Sequence, residues 1–96
     1  MQIKWLKAAL QNLESEADYI ARNNAQAAQT VVLRIHTAIN LLCENPNLGR
    51  LGRVEGTREL VVPETRHIIP YRINTELEQV QILRIFHTSR RLPRHW

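Results

Sequence analysis

The residues best suited to chemistry are the arginines of the second half of the chain. The 96-residue sequence has a formal net charge of +4. Residues 1–49 contain four cationic and four acidic side chains, whereas residues 50–96 contain nine arginines and five glutamates, so the whole excess lies there. A guanidinium suits bidentate recognition of phosphate or carboxylate better than an ammonium does. Two interpretations stay open, a solubilising surface or a contact with a polyanionic or acidic partner.

Other reactive residue types show no motif for metal, nucleotide or thiol chemistry. No two histidines stand in an H-x-x-x-H pair, which predicts no metal site and polar surface positions for all but His87. Cys43 falls on the last turn of a predicted helix, where the dipole disfavours a reactive thiolate, so we interpret it as a packing residue. Residues 49–53 lack the Gly-Lys-Ser/Thr ending of a phosphate-binding loop. The sequence therefore predicts no cofactor.

Apolar spacing in the first half predicts a strand and two helices. Alternation predicts a short strand over residues 2–5, and a three-to-four spacing predicts a helix over residues 6–22. Asn24 is a suitable N-cap for a second helix that begins near Ala25. We expect that helix to stop at Asn45, because Pro46 biases the preceding residue away from helical geometry. The two helices should form an αα-hairpin.

The second half predicts a loop and three strands. Proline and three glycines mark residues 45–57 as a surface loop, and its length makes it functionally interesting. Strands are predicted over residues 58–63, 66–74 and 79–87, with an arginine-rich tail after them. Pro70 lacks an amide hydrogen, so its strand should bulge or use an unpaired edge there. In the last strand, alternation favours Leu83 and Ile85 as core, opposite a wet face that bears Arg84.

The element order β-α-α-β-β-β predicts a single two-layer α+β domain over residues 1–96. The helical hairpin should pack on one face of an antiparallel sheet, because consecutive strands with short turns pair antiparallel. No apolar stretch approaches the ~20 residues needed to cross a bilayer, and no secretory signal is visible. With a single cysteine, these features favour the cytoplasm.

Four segments in a fixed order resemble the RelE/ParE superfamily of toxins, and the ParE branch more than the RelE branch. They are Asn45-Pro46-Asn47-Leu48-Gly49-Arg50, residues 52–60, Tyr71-Arg72-Ile73, and residues 82–87 with Arg90 and Pro93. The resemblance spans nearly the whole chain, and that superfamily shares the predicted element order. It implies a toxin neutralised by a cognate antitoxin, typically an acidic, partly disordered segment that folds as it wraps its partner.

The two branches imply different activities. RelE-like toxins are ribosome-dependent endoribonucleases that cut messenger RNA, whereas ParE-like toxins poison DNA gyrase. Metal-free RNA cleavage needs a base, an acid and cations around the phosphate. The residues that could supply them here are His87, Tyr71, Arg58, Arg72, Arg84 and Arg90. Nuclease relatives carry a lysine-rich central segment and a late tyrosine, and this chain has neither, which favours the gyrase hypothesis.

Two alternatives to the gyrase hypothesis stay open, an RNA-cleaving toxin and an arginine-rich nucleic-acid or adaptor module. The predicted target- or antitoxin-binding residues are Arg58, Arg72, Arg84, Arg90 and Arg91. We expect the antitoxin to cover the helical hairpin and a basic sheet face.

Structural roles compete with these functional interpretations. Arg58 with Glu59 and Arg72 near Glu64 could be simple cross-strand ion pairs. Tyr71 could be half-buried core. Trp5 is predicted to be core, and Trp96 to be disordered or an anchor for a partner.

Overall fold

The computed structural model describes residues 1–89 and Trp96, so the predicted roles of Arg90 and Arg91 lie outside the described residues. Two helices and six strands make up this described part. They are β1 (Gln2–Trp5), α1 (Lys7–Ala21), α2 (Ala25–Leu41), β2 (Arg50–Leu51), β3 (Arg58–Val61), β4 (His67–Asn74), β5 (Gln79–Ile82) and β6 (Phe86–His87).

The helical hairpin forms as predicted. Asn24 caps α2, its side-chain oxygen accepting a hydrogen bond from the Ala27 amide at 3.0 Å. The helix ends at Leu41, before the predicted stop at residue 45. The N-terminal amine of Met1 donates to the carbonyl of Cys43 at 2.9 Å, and the Cys43 thiol donates back to the Met1 carbonyl. Cys43 is exposed and holds the start of the chain, so its interpretation as a packing residue was wrong.

The α+β class is confirmed, but the sheet is mixed rather than wholly antiparallel. Its strand order is β1-β5-β4-β3-β2, and β6 pairs with the first part of β4. The three strands joined by short turns pair antiparallel as expected, whereas β1 pairs with β5 in parallel. No hairpin joins β1 to β5, because both helices and three strands separate them along the chain, so turn geometry does not fix their direction. The two-residue β2 lies inside the predicted loop.

The last predicted strand is interrupted at residues 83–85, where β5 ends and β6 has yet to begin. The Leu83 amide donates to the Pro70 carbonyl at 2.9 Å. The backbone N and O of a strand residue point to the same side, so the nitrogen of Pro70 also points toward residues 83–85. Because proline has no amide hydrogen, it donates no ladder hydrogen bond there. The break shifts the alternation, so Ile85 joins Val80 and Ile82 in the core while Leu83 stays half-buried. The assignment of Leu83 to the core was wrong.

The core lies between the hairpin and one face of the sheet. Its central side chains are fully buried and come from both layers: Ile35, Ile39, Leu42, Val62, Ile69, Tyr71, Val80 and Ile82. Trp5 is half-buried against this cluster. Burial of each fully buried aliphatic side chain of this core contributes about 1.5–3 kcal/mol to the stability of the fold. This packing fixes the sheet register, and the register decides which polar side chains share a face.

Candidate functional site

The strand register divides the candidate arginines between the two sheet faces. Arg58 lies opposite Tyr71 in the β3–β4 ladder, so both side chains are on the helix-facing side. Arg72 follows Tyr71 directly and is on the opposite side, here called the outer face. Arg84 lies in the interruption after β5, and its guanidinium donates to the Trp96 carbonyl at 3.1 and 3.3 Å. The basic sheet face that we expected Arg58 to share with Arg72 is therefore not formed.

Arg58 and Tyr71 hold the central loop, residues 45–57, in place from the helix-facing side. The Arg58 guanidinium donates to the Gly49 carbonyl at 2.8 Å. The Tyr71 hydroxyl donates to the Pro46 carbonyl at 2.6 Å and accepts from the Gly49 amide at 2.8 Å. Burial raises the pKa of this hydroxyl. A Cβ atom at residue 49 would lie 2.7 Å from the Tyr71 ring, so the close approach requires glycine. Tyr71 is thus fully buried, beyond the half-buried position expected.

On the outer face a buried carboxylate holds the same loop. Glu59 is 2% exposed and accepts from the Arg53 side chain at 2.8 and 3.0 Å and from the Arg53 amide at 3.0 Å. Arg50 donates to it at 3.3 Å. The Arg53 hydrogen bonds outweigh desolvation and lower the pKa of Glu59 to about 2. The predicted pair between Arg58 and Glu59 was wrong, because adjacent strand residues point to opposite faces.

Arg72 is exposed on the outer face and is oriented by a glutamine. Its Nε donates to the Gln81 side-chain oxygen at 2.6 Å, and Gln81 donates to Gln79 at 3.1 Å. The predicted ion pair between Arg72 and Glu64 was wrong. Glu64 instead pairs with Arg34 of α2 at 2.6 Å.

The structure buries a histidine for which the sequence favoured the surface. His67 is 4% exposed, and its Nε2 lies 3.1 Å from the carboxylate of Glu16, which is also buried. His87 pairs with His67 across the sheet, and the two rings meet edge to face at 5.1 Å. The Ser89 amide donates to Nδ1 of His87 at 3.1 Å, so a neutral His87 carries its proton on Nε2. These residues line a cleft of about 240 Å³, together with Tyr19 and Ile20.

An apolar groove runs between α2 and the β3 edge of the sheet. Leu33, Leu41 and Val61 are exposed by 66%, 57% and 51%. This α2–β3 groove has an apolar lining of Leu33, Ala38, Leu41, Leu48, Leu60, Val61 and Pro63, and its other lining residues are Arg34, Thr37, Glu64, Gly49, Arg50 and Glu59. The short β2 covers β3 only at Arg58 and Glu59, so the edge beyond it is unpaired by any described strand. Sequence periodicity missed the groove, since Leu33 and Leu41 fall outside the buried stripe of α2.

In the described part of the chain, neither helix is long and apolar enough to cross a membrane. The same residues contain no group of three histidine, cysteine, aspartate or glutamate side chains that could hold a metal ion.

The two-layer fold, a helical hairpin on a mixed sheet, is that of the RelE/ParE superfamily. The chromosomal ParDE toxin–antitoxin system from P. aeruginosa contains a chain that matches with a TM-score of 0.79 and 28% identity, over 91% of this chain and 95% of that one. The RelBE2 toxin–antitoxin complex from Mycobacterium tuberculosis matches with a TM-score of 0.61 and 22% identity, over 93% and 92%, which shows the shared fold alone.

Residues 3–92 match the family described as the ParE toxin of the type II toxin–antitoxin system parDE, so the chain belongs to this family. The "Putative toxin Y4kP" of Sinorhizobium fredii is 41% identical over 92 residues, covering 96% of this chain and 93% of the relative. "Toxin RelE2" of Caulobacter vibrioides is 37% identical over 89 residues, covering 93% and 97%. The superfamily resemblance seen in the sequence is confirmed, and the protein is a toxin of the type II toxin–antitoxin class.

Proposed function

We propose that this toxin acts in the cytoplasm by binding DNA gyrase and stabilising the state in which gyrase holds cleaved DNA. The family match and the likeness to the ParDE chain support this choice of target. The observation that carries the proposal is the separation of the residues that a ribonuclease would have to bring together.

Metal-free RNA cleavage needs an acid, a base and cations around one phosphate. The Tyr71 hydroxyl is buried in two backbone hydrogen bonds. Arg58 and Arg72 occupy opposite faces of the sheet. His87 lies opposite His67, four residues or about 13 Å along β4 from Tyr71. Side chains so dispersed favour a toxin that binds its target over one that cleaves RNA.

The experiment that tests the proposal is a plasmid supercoiling assay with purified gyrase. We expect the toxin to inhibit supercoiling and to accumulate linear plasmid at concentrations near that of gyrase. Addition of excess antitoxin should restore supercoiled product. If neither inhibition nor linear plasmid appears at stoichiometric excess, gyrase is not the target.

Ribosome-dependent RNA cleavage is the second candidate, and the histidine cleft favours it. Nδ1 of His87 accepts from the Ser89 amide, so Nε2 of a neutral ring carries the proton and can donate a hydrogen bond to an RNA phosphate, and the His67–Glu16 pair lies beside it. This function predicts codon-positioned cuts in translated transcripts, lost in His87→Ala.

We propose a cognate antitoxin as the neutralising partner and the α2–β3 groove as the site that receives its apolar side chains. A contiguous apolar surface of this kind is typical of a protein interface. The open edge of β3 could add hydrogen bonds to an extended segment. The net charge of +4 suits an acidic antitoxin.

Placing charge in the groove should abolish tight antitoxin binding. In the double variant Leu41→Asp/Val61→Asp, docking would bury two carboxylates in an apolar contact, and we expect a loss of at least about 100-fold in affinity. Leu77→Asp is the matched control, because Leu77 is 60% exposed in the turn between β4 and β5. Calorimetric titration with antitoxin measures both, and equal losses would place the antitoxin contact elsewhere.

A further inference from the structure

We propose that the outer face of the sheet binds the phosphate backbone of duplex DNA through a cationic stripe formed by Lys4, Arg50, Arg53 and Arg72. The inference rests on the proposed function, in which the toxin acts on gyrase while gyrase holds DNA. It adds a direct contact between the toxin and that DNA.

The stripe exists because the sheet register brings distant parts of the chain together. Lys4 is in register with Gln81, which is in register with Arg72. Arg50 is in register with Glu59, which lies opposite Pro70, two residues before Arg72 on the same face. Side chains of residues in register share a face, so strands from both ends of the sheet contribute cations to one surface.

The cations are exposed and their acidic neighbour is covered. Lys4 and Arg72 are exposed, and the side chains of Arg50 and Arg53 are 57% and 34% exposed. Glu59 is buried beneath Arg50 and Arg53 and is the one acidic residue in the six described strands. The described strands therefore present cations and no exposed carboxylate on this face.

Hydrogen bonds hold the guanidinium groups in place before any ligand arrives. Glu59 positions Arg50 and Arg53, and Gln81 positions Arg72 through Nε alone. Among the described residues neither terminal nitrogen of Arg72 donates a hydrogen bond, so both can serve a phosphate. A pre-ordered side chain loses less conformational entropy on binding.

The spacing of the stripe fits a duplex. Lys4 and Arg72 are two strand positions apart, about 10 Å at the usual spacing between strands. Arg72 and Arg50 are also two strands apart and are offset by two residues, which gives about 12 Å. The major groove of DNA is ~12 Å wide, so neighbouring cations can reach phosphates on its two rims.

The composition of the face favours duplex DNA over an acidic protein or a single-stranded nucleic acid. A protein partner needs an apolar centre to its interface, and the exposed apolar side chains of Leu33, Leu41 and Leu48 lie instead in the α2–β3 groove. Single-stranded nucleic acid is held by aromatic platforms. The outer-face aromatic rings, Phe86 and Trp96, pack on each other at 5.4 Å near β6, away from the stripe.

Fluorescence polarisation with a labelled duplex of about 20 base pairs, over a series of salt concentrations, tests the proposal. Arg50→Ala/Arg72→Ala should bind roughly tenfold more weakly at low salt and reduce the slope of log K against log salt by about two. Lys7→Ala/Arg22→Ala removes the same charge from the helical layer and should keep the native slope. Thermal melting by circular dichroism checks that both variants fold.

Three results would overturn the inference: equal losses in the two double variants, tighter binding of a single strand of the same length, or equal displacement by polyglutamate. The plasmid assay separates it from the proposed function. If the stripe variant loses duplex binding yet still linearises plasmid at the native concentration, the DNA contact has no role and the gyrase function stands. If the native toxin binds duplex through the stripe yet yields no linear plasmid with gyrase, the gyrase function fails and the DNA surface stands.

Discussion

Replacement of His67 by alanine should lower the free energy of unfolding by about 3 kcal/mol at neutral pH. His67 is 4% exposed, and its Nε2 lies 3.1 Å from the buried carboxylate of Glu16, which ties α1 to β4. Without the imidazole this carboxylate loses a close partner in an environment that does not solvate it, and breaking a buried pair from one side costs roughly 3–5 kcal/mol. Urea denaturation followed by circular dichroism measures the change.

Two further variants show whether the loss of stability in His67→Ala comes from the buried pair. Glu16→Leu/His67→Leu removes both polar partners and should recover most of the loss, because an apolar pair of similar volume often replaces a buried polar pair without cost. His36→Ala is the matched control, since His36 is an exposed histidine that touches the ring of Trp5. A loss in His67→Ala no greater than in His36→Ala would mean that the buried pair does not hold α1 to the sheet.

Replacement of Glu59 by glutamine should lower the free energy of unfolding by about 3 kcal/mol at pH 7. It should also make that free energy depend less on pH in the acid range. The pKa of Glu59 is lowered from 4.5 to about 2 in the folded protein, chiefly by the Arg53 side chain. A carboxyl with a lowered folded-state pKa stabilises the fold above its unfolded pKa and loses that contribution as pH falls. The difference corresponds to about 3 kcal/mol, present above about pH 4.5 and lost as pH falls toward 2.

Urea midpoints measured from pH 7 to pH 2 test this expectation. Glu55→Gln serves as the control, because Glu55 lies exposed in the same loop. The native protein and Glu55→Gln should lose stability together below pH 4.5, whereas Glu59→Gln should start lower and decline less. Parallel curves for all three proteins would show that the Arg53–Glu59 contact does not stabilise the fold.

The elements that the sequence predicts correctly are those defined by local signals. Helix periodicity and the Asn24 cap locate α1 and α2, and turn residues separate β3, β4 and β5. The parallel pairing of β1 with β5 has no local signal, because no turn joins these strands. The two-residue β2 is too short for a periodic pattern, and the break after β5 becomes interpretable only when Pro70 is placed beside it.

The candidate sites were harder to predict because they depend on contacts between distant residues. The sequence identified Arg58 and Arg72 as related cations, but the register places them on opposite faces. His67 is a surface residue by type, and in its buried position Nε2 lies 3.1 Å from the carboxylate of Glu16, which is far away in the sequence. Leu33 and Leu41 break the helical stripe, and the groove that they line is completed by Val61 of β3.

Arg50 occupies a position common to the two proposed binding surfaces. It lines the α2–β3 groove, and it also belongs to the cationic stripe, where it donates to Glu59. An antitoxin that engages Arg50 from the groove would compete for the guanidinium that contacts DNA. Binding of the antitoxin and binding of DNA would then weaken each other. Linkage is reciprocal, and DNA held at the stripe would therefore loosen the antitoxin by the same factor by which the antitoxin loosens DNA. Neutralisation of this toxin would then be a competition whose outcome depends on how much cleaved DNA is present.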